Sequence, residues 1–293
     1  MKEKRNKISR RDFIEKSAIL GAAGMVVPVL DKGSEARATP RMTYDDISLA
    51  QWALVEEIRD GKWKNLDFPR IAREDFGLNG IEFVNTLFEV PTVNYLNQLK
   101  KNADEYNVKM VLIMVDAEGD GCEPTKELRK QFVINHKKWI DIAQYLGCHA
   151  IRTNCRGPEN VDKEEALDWA AETYNMLLEY AVQANISVVI ENHGGVSDDA
   201  DWMIALFNRV NNLYFGSYPD WRSPRRGNNV EYLEKMLPWA GGMSYRNQPT
   251  EELTAQMIKL CRDSGYKGWY GIESGGREEI AKGRDLLKKY LGI

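Results

Sequence analysis

Histidine and cysteine are scarce in this chain and scattered along it. It has three histidines and four cysteines, and no two cysteines form a Cys-x-x-Cys pair, so neither a zinc ribbon nor a dithiol redox motif is indicated. A disulfide among Cys122, Cys148, Cys155 and Cys261 is permitted by composition and by nothing stronger. No glycine-rich phosphate loop follows the first apolar segment, where Gln51-Trp52-Ala53-Leu54 stands instead. That tells against an open dinucleotide-binding sheet. Beyond the N-terminal segment no apolar run approaches the length of a membrane span. The formal net charge of −4 lacks the basic footprint of a nucleic-acid binder.

The N-terminus has its own organisation. Ser9-Arg10-Arg11-Asp12-Phe13 precedes an apolar run from Ala18 to Leu30, interrupted by Gly21, Gly24 and Pro28. This run is too short to cross a bilayer comfortably. Ala36-Arg37-Ala38 then supplies the small-x-small pattern that a signal peptidase accepts. Residues 1–38 therefore read as a twin-arginine signal peptide, with the mature chain beginning near Thr39 and delivered to the periplasm by the twin-arginine export machinery. Removing that segment takes away nine Lys/Arg and five Asp/Glu, so residues 39–293 are more acidic than the whole chain. A small-molecule ligand suits that balance better than a polyanion.

From Asp46 onward, short β-branched or apolar runs alternate with longer stretches of helical period, the pattern of a parallel sheet covered by helices. Eight strands are expected: Ile47–Leu54, Gly80–Val84, Val108–Asp116, His149–Cys155, Ser187–His193, Leu213–Asp220, Gly242–Arg246 and Trp269–Glu273. Between and after them, helices are expected over Thr92–Tyr106, Thr125–Leu146, Glu164–Ala184, Asp199–Val210, Val230–Leu237, Glu251–Ser264 and Arg277–Leu291. Gly147, Gly265 and Gly292 suit the ends of three of them. Residues 39–293 thus read as one domain, a single (β/α)8 TIM barrel.

In such a barrel the chemistry sits at the C-terminal ends of the strands. The polar residues at those places are Glu82, Asp116, Arg152, Asn154, Glu191, His193, Tyr218, Asp220, Arg246 and Glu273. Alternation along a strand puts Arg152 with Asn154, Glu191 with His193, and Tyr218 with Asp220 on shared faces. Glu191, Asp220 and Glu273 converging in one mouth repel one another unless a cation compensates them, and an oxygen-rich site favours Mg²⁺ or Mn²⁺. The alternative is an ion network in which neighbouring arginines take that role. His193 either touches substrate, acts as a further ligand, or supports residues that do. His136 reads as a packing or surface residue of its helix, and His149 opens a strand away from the mouth. Trp52, Phe88, Tyr218, Trp221 and Tyr270 are candidate walls for a sugar ring or ordinary core. Arg222, Arg225 and Arg226 form either an anion-greeting loop or a solvated charge run.

Several stretches resemble the xylose-isomerase-like TIM-barrel sugar isomerases and epimerases: Asn65-Leu66-Asp67-Phe68-Pro69-Arg70, Gly80-Ile81-Glu82-Phe83-Val84-Asn85, Ile190-Glu191-Asn192-His193-Gly194-Gly195, Tyr218-Pro219-Asp220 and Gly271-Ile272-Glu273. The resemblance runs from about Ile47 to the C-terminus and rests on the order and strand placement of these motifs rather than on any one of them. It implies one divalent metal held by Glu191, Asp220, a seventh-strand residue and Glu273. At the seventh strand, Gly242-Met243-Ser244-Tyr245-Arg246 offers a serine where a stronger ligand is implied, and Arg246, on the same face, is placed to supply the metal's charge itself. A second departure follows Asp220, where Trp221-Arg222-Ser223 lacks the histidine that such epimerases carry.

The resemblance implies proton transfer next to a carbonyl through an enediolate, with Glu191 and Glu273 as the acid/base pair. Glu82, Arg152, Asn154, His193, Tyr218 and Arg246 are the candidate substrate-binding residues. Export favours an unphosphorylated sugar as substrate. The same enolising site would suit a 3-keto-glycoside lyase or hydrolase, and a non-catalytic sugar-binding barrel is the third reading. An endonuclease of the same superfamily would need more histidines and a basic face. If the export reading holds, replacing Arg10 and Arg11 together by Lys should leave the protein inside the cell; fractionation showing undiminished periplasmic protein would contradict it.

Overall fold

The computed structural model describes residues 43–222 and 228–293. The expected signal segment, its cleavage near Thr39, and Arg225 and Arg226 lie outside the described residues. Eight parallel strands run in the order expected of a barrel: β1 (Asp46–Ala50), β2 (Gly80–Val84), β3 (Lys109–Met114), β4 (Ala150–Thr153), β5 (Ser187–Glu191), β6 (Phe215–Tyr218), β7 (Met243–Tyr245) and β8 (Trp269–Ile272). Each pairs with its sequence neighbour from β1 to β6, while β8 joins β1 to β7. β7 has only three residues, and the ring closes between β6 and β7 through two isolated parallel bridges, Ser217 with Ala240 and Asp220 with Ser244. The second bridge ties two site positions together through the backbone.

Every expected strand is present, and all but β2 are shorter than expected. Most of the difference falls at the C-terminal ends, although β3, β4, β6 and β7 also begin one or two residues later than expected: Gln51–Leu54 forms a 3-10 turn instead of extending β1, and Asp116, Asn154, His193, Asp220, Arg246 and Glu273 each stand one or two residues past a strand end. Apolar pattern marks where a strand is buried but not where its ladder stops, because the first loop residues at a barrel mouth are buried as well.

The helices form the outer layer for local reasons. Thr125 accepts a hydrogen bond from the Leu128 amide at the start of Lys126–Leu146, and Gly147 at φ +82° ends that helix. Asp162 caps Lys163–Ala181 through the amides of Glu164 and Glu165, and Thr250 caps Glu251–Asp263. Between β1 and β2, where no helix was expected, the chain forms a 3-10 turn at Asn65–Asp67 and a short helix at Phe68–Arg70. The Asn65 to Arg70 motif is largely structural: Phe68 is buried, stacks on Trp63 with centroids 5.7 Å apart and meets Phe83 edge-on, while Asn65 accepts from Gln51 Nε2 at 2.6 Å.

Two apolar layers result. One fills the space between strands and helices; the other lies within the ring and includes Ala50, Val84, Leu112, Met114, Val189 and Trp269. Close fit inside the ring depends on missing side chains: the Trp269 ring occupies the space of a Cβ at Gly80, and the Glu82 carboxyl occupies that of a Cβ at Gly271. Gly271 therefore makes room for a buried acid on the floor of the mouth. No helix among the described residues is long and apolar enough to cross a membrane.

Candidate functional site

The floor of the mouth is a buried polar pair. Glu82 of β2 and Tyr218 of β6 are fully buried and hydrogen-bonded across the ring, with the Tyr218 hydroxyl donating to Glu82 Oε2 and Ser48 Oγ donating to Oε1 at 2.6 Å. Burial pushes the Glu82 carboxyl up to about 7, although Ser48 and Tyr218 favour its charge.

Above it, Arg152 of β4 organises one half of the site. Its side chain is 1% exposed. Nη1 donates to Asp116 Oδ1 at 2.7 Å and lies 3.3 Å from Asn154 Oδ1. Asn154 Nδ2 and Trp52 Nε1 complete the set around Asp116. Burial opposes ionisation of Asp116, but the Arg152 charge and hydrogen bonds overcome it and hold the carboxyl down to about 2. Glu191 is served less well. Arg152 Nε approaches Glu191 Oε2 to 2.9 Å, yet neither atom has an aligned hydrogen bond among the described residues. A proton therefore competes with Arg152 for Glu191: burial raises its proton affinity, Arg152 opposes that, and the Glu273 and Asp220 charges add to it.

Arg246, just past β7, organises the other half. Nε donates to Asp220 Oδ1 at 2.9 Å, Nη2 lies 2.8 Å from Glu273 Oε1, and Nη1 donates to the Glu273 carbonyl at 2.9 Å. Ser244 Oγ donates to Glu273 Oε2 at 2.5 Å. Burial raises the Glu273 proton affinity, opposed by Arg246 and reinforced by the Asp220 charge. Asp220 is also clamped by Arg222, whose backbone amide reaches Oδ1 and whose Nε and Nη2 reach Oδ2 at 3.1 and 2.8 Å. The peptide at Asp220 is held by the Asn192 side chain, which accepts from its N–H at 2.7 Å and donates to its carbonyl at 3.2 Å.

These contacts bear on whether a divalent ion fits. A carboxylate offers about four lone-pair directions, and all four at Asp220 meet N–H donors from Arg222 and Arg246. Glu273 meets Arg246 and Ser244 at its two oxygens. Among the described residues, no group of three His, Cys, Asp or Glu side chains is arranged to hold a metal. As placed, these acids do not fit the Mg²⁺ or Mn²⁺ that the resemblance implies: the lone pairs of Asp220 are taken by two guanidinium groups and an amide, Glu273 is engaged at both oxygens by Arg246 and Ser244, and the Glu191 charge is met by Arg152.

To one side of these clusters a cavity of about 710 Å³ opens between the loops after β4 and β5, bordered by Arg156, Asn192, His193, Gly195 and Arg222. His193 Nδ1 lies 3.0 Å from Asn154 Oδ1 and 2.9 Å from Arg156 Nη2. Burial, together with the Arg152 and Arg156 charges, brings this imidazole down to about 4, so it is neutral at ordinary pH. The loop is pinned by Gly195 at φ +63°, where a Cβ would fall on the Arg156 carbonyl, and Val196 donates to that same carbonyl at 2.9 Å.

The remaining sequence candidates take other places. Of the five aromatic residues, Trp52 alone is partly exposed, whereas Phe88, Tyr218, Trp221 and Tyr270 are buried. His136 is a packing residue, tilted against Phe132 with centroids 3.8 Å apart and bonded to the Phe132 carbonyl. His149 bonds the Gly241 carbonyl at 2.8 Å, and all four cysteines are buried free thiols. Sequence reasoning passed over Ser48, Asn192 and Arg156. The available signal for the last was its position immediately after Asn154-Cys155.

Residues 71–224 match the model of a family described as xylose isomerase-like TIM barrel. No curated protein matches the chain. Similar solved structures include D-allulose 3-epimerase from Methylomonas (12% identity, 86% of this chain and 99% of that one, TM-score 0.67). Another is 3-keto-D-glucoside 4-epimerase from E. coli (12%, 86% and 100%, 0.65). A third is a xylose isomerase-like TIM-barrel protein from Mycobacterium smegmatis in complex with magnesium (16%, 85% and 96%, 0.64). At these identities the likeness is one of fold.

Glu82 gives this site a pH signature. Its carboxyl binds a proton more tightly when folded, at about 7, than an ordinary glutamate does at 4.5. The corresponding stability is present below about pH 4.5 and lost as pH rises through about 7, a change on the order of 3 kcal/mol. The stability of wild type relative to Glu82→Gln, measured by urea denaturation, should fall by that order between pH 4 and 8. Parallel pH profiles for the two proteins would contradict the assignment.

Proposed function

The chain belongs to the xylose isomerase-like TIM-barrel family, and from that premise we propose that it is a carbohydrate isomerase or epimerase that moves a proton on a carbon next to a carbonyl. The observation that carries this reading is the pair Glu191 and Glu273. Both are buried carboxyls of raised proton affinity, they stand at strands three apart round the ring, and each is held by a different arginine. One acts as base and the other as acid, the arrangement needed to take a proton from one face of a carbon and return it to the other face or to the neighbouring carbon.

The substrate-binding set divides by depth. Asn154, His193 and Arg246 meet the sugar directly, with neutral His193, engaged at Nδ1 by Asn154 and Arg156, offering Nε2 to a hydroxyl group. Arg152, Glu82 and Tyr218 hold the mouth in shape from beneath. Because the residues do not fit a divalent ion, the paired acids and the arginines that hold them carry the chemistry. The Arg10-Arg11 pair and the apolar run that follows it support export to the periplasm, and with that reading the substrate is an unphosphorylated keto or aldo sugar.

A second reading, a 3-keto-glycoside lyase or hydrolase, is favoured by the cavity of about 710 Å³ beside His193, which gives room for an anomeric substituent. In that case loss of the C2 proton expels the substituent as its leaving oxygen takes the C–O bond pair.

Incubated in deuterium oxide with a keto sugar or a 3-keto-glycoside, the protein should incorporate deuterium α to the carbonyl. Glu191→Gln and Glu273→Gln should each slow incorporation by a factor on the order of a hundred or more, the worth of a positioned general base, while circular dichroism stays unchanged. Full exchange in both variants would remove the assigned roles.

A further inference from the structure

An arginine just past β7 brings positive charge to this mouth. Three observations converge on Arg246. It bridges acids from two other strands, Asp220 after β6 and Glu273 after β8. It follows Ser244, whose hydroxyl occupies the other Glu273 oxygen, so both polar residues of this segment serve the same acid. Its side chain is 22% exposed, between Arg152, sealed in the floor at 1%, and Arg222, largely in solvent at 56%.

A guanidinium has five N–H donors in a planar fork. Among the described residues Nε donates to Asp220 and Nη1 to the Glu273 carbonyl, while Nη2 stands in an ion pair with Glu273 Oε1, so the two terminal nitrogens keep N–H groups that no hydrogen bond uses. Anchored on three sides and partly open to the mouth, such a group is preorganised to meet an oxygen on which charge develops.

We propose that Arg246 is the electrophile of the reaction: N–H groups remaining on its terminal nitrogens hold the carbonyl oxygen of a keto sugar, and its charge does the work that a divalent ion would do among the same acids. This rests on the enolising reading above and adds the group that makes enolisation feasible. As a carboxylate removes the α proton, the C–H electron pair becomes the C=C bond and the C=O pair moves onto oxygen. Arg246 receives that oxyanion. The electron flow reverses when the acid returns a proton to carbon, so no oxidant or metal enters the balance. Arginine suits the position because lysine, a point donor, cannot bridge two carboxylates and still present a fork.

The test uses the full-length protein and has a readout independent of turnover. Elemental analysis and melting curves, with and without excess Mn²⁺, are compared for wild type, Arg246→Ala and Arg246→Lys. Wild type should carry no stoichiometric metal and melt at the same temperature in Mn²⁺. Arg246→Ala leaves Asp220 and Glu273 short of positive charge, so it should melt lower and be raised by Mn²⁺. Arg246→Lys, which keeps the charge in case the alanine variant does not fold, should melt near wild type yet lose deuterium exchange by on the order of a hundredfold.

Stoichiometric metal or a Mn²⁺-dependent melting rise in wild type would overturn the proposal, as would full exchange in Arg246→Lys. The two readings fail separately. Exchange by a wild type loaded with Mn²⁺ removes the role of Arg246 and keeps the isomerase. Absence of exchange in a metal-free wild type, with the melting results as expected, removes the isomerase and leaves Arg246 as the cation of the site.

Discussion

Four carboxylates held out of water at the end of one barrel cannot all remain charged without positive partners, and the structure depends on how that charge is met. Asp116 and Glu191 share Arg152, while Asp220 and Glu273 share Arg246. Taking such groups out of water costs several kcal/mol per ion unless geometry and hydrogen bonding repay it. The repayment here is unequal. Asp116 and Asp220 receive aligned donors at both oxygens, whereas Glu191 has an arginine nearby but out of line. Unequal service keeps Asp116 ionised and lets Glu191 hold a proton, the division of labour that proton transfer requires.

The barrel makes this possible through its least regular part. β7 is only three residues long, and the ring closes there by single bridges rather than a full ladder. The bridge between Asp220 and Ser244 sets the spacing at which Arg246 reaches both neighbours. Asn192 clamps the Asp220 peptide from the β5 side, so the weakest seam of the sheet is reinforced by side chains at the site itself. Gly271 contributes by omission, leaving room for the Glu82 carboxyl in the layer below.

Much of this was legible in the sequence, for identifiable reasons. Burial of parallel strands on both faces makes Ser187-Val188-Val189-Ile190 readable as a strand, and Thr125, Asp162 and Gly147 mark helix ends by their own hydrogen-bonding and backbone chemistry. Arg246 was visible as a possible replacement for a metal because Ser244 precedes it by two residues on the same face. What the sequence did not reveal depends on loop conformation. The approach of Arg156 to His193 follows from a turn at Gly194 and Gly195, both at positive φ, and no periodicity encodes it. Strand ends were overrun because mouth residues such as Asp220 and Glu273 are as buried as the strands that carry them. The aromatic residues were ambiguous for the same reason: burial of Trp221 and Tyr270 in the core and partial exposure of Trp52 are decided by packing.

The identity of the positive charge between Asp220 and Glu273 decides the chemistry open to this mouth. The most direct measurement is a crystal structure grown in excess Mn²⁺ with data collected for anomalous scattering from manganese. The predicted result is no anomalous peak within coordination distance of Glu191, Asp220 or Glu273, with the Arg246 guanidinium lying between the last two. A manganese peak ligated by those three acids, with Arg246 turned away, would contradict it.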